Sequence, residues 1–152
     1  MSWKVHVSYL SKMICVLCLF FTLLVGCTTR PLYYLDIYYA KTCPVCKSFI
    51  NNVIPVLEED YGKTMEITYY DIDEEASMDA YAKTCSLLED YYFDDDSGSV
   101  PFIVLDGYFA KVGYVIGQQE DIIQAIKDAI ANQPISSSLS DIYYFKEEKT
   151  FH

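Results

Sequence analysis

Two cysteines separated by two residues, Cys43-Pro44-Val45-Cys46, are the part of this 152-residue chain best suited to chemistry. Thiolate is the reactive form of cysteine, and the free N–H groups and partial positive charge of a helix N-terminus favour it. If a helix starts at Cys43, Cys46 returns to the same side one turn later and can close a bond onto it. One thiol can then attack while the second resolves the mixed disulfide. Pro44 suits the first helical position, and Val45 adds no charge. The same pair could be half of a zinc site, but zinc needs further ligands, and beyond the N-terminal segment only Cys85 and His152 remain to supply them. Transfer of Cu(I) by the pair is a third reading, weakened by the scarcity of Met and His nearby.

The elements that must position this pair can be read from hydropathy period. Tyr34–Tyr39, rich in aromatic and branched residues, reads as a strand. From Cys43 to about Glu59, Cys46, Phe49, Ile50, Val53, Ile54 and Leu57 recur at helical spacing, with a kink expected at Pro55. Tyr61-Gly62 closes that helix. Met65–Tyr70 is a second strand, and Ala76 to about Tyr92 a second helix. Asp94–Gly98 is a loop by composition. Val100–Leu105 is a short apolar strand, turned at Asp106-Gly107 into a returning strand over Phe109–Val115. A last helix spans about Gln119–Ala131. The order β-α-β-α-β-β-α predicts an α/β fold with a central mixed four-stranded sheet flanked by helices. Residues 133–152 read as a polar linker and tail outside the domain. Asp141-Ile142-Tyr143-Tyr144 repeats the letters of Asp36-Ile37-Tyr38-Tyr39, which in a chain with 15 Tyr is read as chance rather than as an extra edge strand.

The remaining cysteines sort by position. Cys15 and Cys18 fall in the apolar run of residues 13–26, which follows Lys4 and Lys12 with no acid before it. That layout is expected of a secretory signal peptide, and the run is short for a membrane-spanning helix. Its end, Leu24-Val25-Gly26-Cys27, resembles the lipobox of bacterial lipoproteins. This resemblance implies cleavage after residue 26, a diacylglyceryl group on Cys27, residues 27–33 as a short tether and a domain over residues 34–132. An uncleaved anchor would place the domain on the same side of the membrane. Removing residues 1–26 takes two of the 11 Lys and Arg and none of the 22 acids, moving the net charge from −11 to −13. Such a surface repels nucleic acid, so nucleic-acid binding is not expected. Cys85 lies on the apolar side of the second helix with Tyr81 and Leu88; a buried, inert thiol is expected there, with a third redox thiol as the sharper alternative. Lys41 and Lys47 flank the pair and, as exposed charges, should contribute little. Asp94–Asp96 lacks the alternating ligand spacing of a calcium loop.

Tyr38–Lys47, with Cys43-Pro44-Val45-Cys46 inside it, is similar to the active-site segment of the thioredoxin superfamily. Ser99-Val100-Pro101-Phe102-Ile103-Val104-Leu105-Asp106-Gly107 resembles that family's cis-proline strand and following turn. The resemblance covers about residues 34–131. It implies a cis peptide between Val100 and Pro101, Pro101 packed beside the cysteines, and a Val100 main chain that pairs with bound substrate. Three departures stand out. Thr42 replaces the Trp common before the first Cys. Ile37 occupies the position of the buried acid found in thioredoxins proper, while Asp36 points to the other sheet face. No strand and helix precede the first strand, which brings the domain nearer to the minimal, glutaredoxin-like version.

The expected function is extracytoplasmic thiol–disulfide exchange by a protein lipid-anchored to a bacterial membrane through Cys27. Cys43 and Cys46 are the catalytic residues, and Val100 and Pro101 form the substrate-binding segment. Partners would be protein thiol or disulfide substrates and a separate redox protein. No metal or organic cofactor is implied, because the electrons reside in the cysteine pair. The alternative from another class is a thioredoxin-fold binding module without redox turnover.

Overall fold

The structure, a computed structural model, describes residues 30–91, 98–135 and 138–146. The expected signal segment, the Cys27 lipid site, the acidic loop at Asp94–Asp96 and His152 lie outside the described residues. No described helix is long and apolar enough to cross a membrane.

β1 (Tyr33–Tyr39) is an interior strand, parallel to β2 (Met65–Asp71) and antiparallel to β3 (Phe102–Leu105). Its alternation sends Leu35 and Ile37 to one face and Tyr38 to the other, and Asp36 lines a groove on the Tyr38 side. Between β1 and β2, the expected kinked helix is two helices, α1 (Pro44–Asn52) and α2 (Ile54–Tyr61). Pro55 has no N–H for the Asn51 carbonyl and its ring crowds that group, so the chain re-nucleates with Pro55 in the first turn of α2. Gly62, at φ 51°, ends α2 in a conformation that suits glycine.

α3 (Glu75–Cys85) follows β2 and is shorter than the expected span to Tyr92. Past Cys85 the backbone turns to meet the C-terminal segment: Glu89 N–H donates to the Tyr144 carbonyl at 2.8 Å, and Lys146 N–H to the Leu87 carbonyl at 2.9 Å. A three-residue turn, Asp106 to Tyr108, joins β3 to β4 (Phe109–Val112), and α4 (Gln119–Ile130) completes the predicted order.

One expectation is corrected outright. The sheet has five strands, ordered β2-β1-β3-β4-β5, and the fifth is the tail segment Ile142–Tyr144, antiparallel to β4. The segment read as a polar tail outside the domain is thus an edge strand of the sheet. Lys111, 3% exposed, helps fasten this strand by donating from Nζ to the Ser140 carbonyl at 3.1 Å and to the Val112 carbonyl at 3.2 Å. Burial lowers its pKa, against the opposing pull of Asp141.

The core has two layers, one on each sheet face. Leu35, Ile37, Phe49, Ile103 and Ile126 pack with α1, α2 and α4 in a mainly aliphatic layer. Tyr38, Tyr81, Cys85, Tyr91 and Phe102 form an aromatic layer under α3. On this second face a groove of about 350 Å³ opens between β1, β2 and α3, with Glu66, Thr68 and Tyr70 among its walls. Among the described residues, no cysteine lines it.

Candidate active site

Cys43 is the N-cap of α1, extended at φ −80° and ψ 110°, with Pro44 in the first turn behind it. Its own N–H donates to the Ala40 carbonyl at 3.0 Å, and its carbonyl accepts the first helical hydrogen bond from Lys47 N–H at 3.2 Å. The Cys46 N–H donates to Cys43 Sγ at 3.1 Å. Thus the sulfur occupies the place of a capping oxygen, where the free N–H groups of the helix start stabilise negative charge. Cys43 and Cys46 form a disulfide, with Cα atoms 5.3 Å apart. Cys43 is half-buried, whereas Cys46 is 0% exposed. The Cys43 side of the bond is therefore open to solvent, and the Cys46 side is closed in the core.

The β1–β3 register pairs Tyr38 with Phe102. Pro101 then falls level with the end of β1, at the same end of the sheet as the turn that leads into Cys43. The Val100–Pro101 peptide is cis. The Pro101 carbonyl accepts from Gly113 N–H at 2.8 Å, which ties this segment to the end of β4. Beyond Gly113 the loop exposes Val115 and Ile116, at 62% and 67%. Ile37 is fully buried where thioredoxins proper keep an acid, and Thr42 is exposed.

Two features of the site went unread in the sequence. The first concerns Lys41, whose ammonium pairs at 2.5 Å with the Asp71 carboxylate at the end of β2. That carboxylate is 5% exposed and the lysine side chain 67%. Lys41 holds the Asp71 carboxyl below the usual carboxylate range, against the opposing effect of burial, with help from Asp73 N–H at 3.2 Å. The same hydrogen bond raises the Lys41 pKa. The lysine is thus engaged with Asp71, pinning the turn before Cys43 to the neighbouring strand. The hint in the sequence was the single acid closing the otherwise uncharged Ile67-Thr68-Tyr69-Tyr70-Asp71 run.

The second is a set of buried hydroxyls behind the Val100–Pro101 segment. Tyr81 Oη donates to the Ser99 carbonyl at 3.2 Å and lies 3.1 Å from Tyr91 Oη. Tyr38 Oη shares a hydrogen bond with Thr84 Oγ1 at 3.0 Å. Cys85, buried beside them, is a free thiol whose pKa burial pushes up to about 11, so it is poorly ionised at neutral pH.

No family model matches the chain, and no curated protein matches it. It is similar to the solved structure of thioredoxin-2, described as a component of the malaria parasite protein secretion machinery. That likeness has 20% sequence identity and a TM-score of 0.43, over 68% of this chain and 89% of the other. The fold assignment stands on this chain's own element order and sheet topology. They define a thioredoxin-like α/β fold, with a disulfide-forming cysteine pair at the start of the helix that follows β1.

Proposed function

We propose that the protein is an extracytoplasmic thiol–disulfide oxidoreductase, tethered to a bacterial membrane by lipid on Cys27. The observation that carries the redox part is the unequal placement of the two sulfurs: Cys43 caps the helix and reaches solvent, and Cys46 lies beneath it in the core. In the reducing direction the Cys43 thiolate attacks a partner disulfide. A Cys43–partner bond forms, the partner's own S–S bond breaks, and its first sulfur leaves as a thiolate that takes up a proton. Cys46, once deprotonated, then attacks Cys43 Sγ and expels the second partner thiolate. Two electrons have passed from the pair to the partner, and Cys43–Cys46 is a disulfide again. The oxidising direction is the same sequence reversed. Val100 and Pro101 are assigned to receive the substrate main chain beside the reacting sulfur. The apolar run ending in Leu24-Val25-Gly26-Cys27 supports the tether and the compartment.

The deciding experiment is titration of the pair in graded glutathione buffers together with a trapping variant. A reversible two-electron transition is expected, with a midpoint near ~ −270 mV marking a reductant and one near ~ −120 mV an oxidant. Cys46→Ser should accumulate mixed disulfides through Cys43, and Cys43→Ser should abolish exchange. A pair that forms no reversible disulfide at any glutathione ratio would sink the reading in favour of a binding module.

A further inference from the structure

We infer that Tyr81 is a positioning residue for substrate: its hydroxyl fixes the peptide plane that presents Val100 to a partner's main chain, and β5 braces it from behind. This rests on the thiol–disulfide exchange reading and adds to it the means by which the substrate's main chain is held in place.

Tyr81 lies on α3, fully buried, on the sheet face opposite α1. A phenol has one proton. A carbonyl can only accept, so the 3.2 Å bond to Ser99 commits the Tyr81 proton to that oxygen. That leaves Tyr91 as the hydroxyl able to donate across the 3.1 Å contact, with the Cys85 sulfur as its second hydrogen-bond partner. Burial, with the hydrogen bonds to Tyr81 and Cys85, raises the Tyr91 pKa above its ordinary value. The Tyr91 ring is held in turn by Tyr143 of β5, edge to face at 4.8 Å. A continuous path therefore runs from β5 through Tyr91 and Tyr81 to the Ser99 carbonyl.

That carbonyl shares one rigid peptide plane with the Val100 N–H. Holding the oxygen inward sets the direction of the N–H, the group an extended substrate would pair with beside Pro101. Tyr81 keeps its ring contacts with Phe102 at 4.7 Å and Tyr38 at 5.3 Å whether or not it has a hydroxyl. Tyr81→Phe therefore removes the hydrogen bond while leaving the packing.

The test uses the full-length chain with dithiothreitol as electron donor and two oxidised substrates: an extended peptide with an internal disulfide, and 2-hydroxyethyl disulfide, which has no main chain to pair. Tyr81→Phe should raise KM for the peptide about fivefold, as expected for one lost hydrogen bond, with kcat unchanged. KM for 2-hydroxyethyl disulfide and the midpoint potential of the pair should not move. Tyr91→Phe should act in the same direction, more weakly, and carries the test if Tyr81→Phe does not fold. An unchanged peptide KM in the folded variants, or an equal rise for both substrates, overturns the inference. Failure of the wild-type protein to reduce either disulfide overturns the exchange reading itself, a distinct result.

Discussion

The two faces of the sheet are built from different materials. Under α1, α2 and α4 the packing is mainly aliphatic, with Leu35, Ile37, Val53, Ile103 and Leu105 fully buried around the rings of Phe49 and Phe109. Under α3 it is aromatic and hydroxylated, with Tyr38, Tyr81 and Tyr91 each hydrogen-bonded through its phenol. Aliphatic contact is non-directional and tolerates small shifts. A buried hydroxyl needs a partner at one distance and angle, and losing that partner is costly. The helix that bears the thiols rests on the first kind of packing. The main-chain segment assigned to substrate is held by the second. The face that cements helices is therefore separate from the face that sets the direction of individual backbone groups.

Three substitutions probe that contrast. Phe49→Ala, at a fully buried ring on α1, should have the largest effect, lowering the unfolding free energy by about 3–5 kcal/mol in urea denaturation. A loss below ~1 kcal/mol would mean that the aliphatic face can collapse around the gap. Tyr38→Phe keeps the stack on Tyr70 at 4.7 Å but gives up the bond to Thr84. It should cost about 1 kcal/mol in the same assay, and a neutral result would assign the aromatic face to its rings alone. The smallest effect belongs to Asp71→Asn, at the rim, where one partner of the ion pair is in water. Because the folded-state pKa of Asp71 is lowered, the contribution is complete above the unfolded carboxyl pKa of about 3.9 and fades as the pH falls below it. Wild type should exceed Asp71→Asn in stability at neutral pH, and the two should converge in acid. A difference that persists after the carboxyl is protonated would refute the ion-pair explanation.

Much of the site was legible because its signals are local. A Cys-x-x-Cys with proline at the helix start, a proline opening an apolar strand, and periods of two and 3.6 all lie within a few residues of what they determine. The break at Val53 was half legible: Pro55 announces a disturbance, but whether a helix bends or restarts depends on packing. The tail was misread because three residues of strand have no period to detect. What makes Ile142–Tyr144 a strand is the unpaired edge of β4, more than thirty residues earlier. α3 stops short of its apolar period for the same reason, since Leu87 and Glu89 exchange helical bonds for bonds to that tail. The Tyr81–Ser99 and Lys41–Asp71 contacts depend on which side chains the sheet register brings level. Residue type alone does not carry that information.

β5 has a further consequence, for solubility. β4 buries Phe109, Ala110 and Lys111, and its outer edge is paired by the last described strand of the chain. Until synthesis passes Tyr144, β4 offers its main-chain donors and acceptors to any passing strand, including that of a second nascent copy. Closing this edge with Ile142–Tyr144 makes that segment a guard against self-association, and leaves any chain that lacks it with a sticky edge.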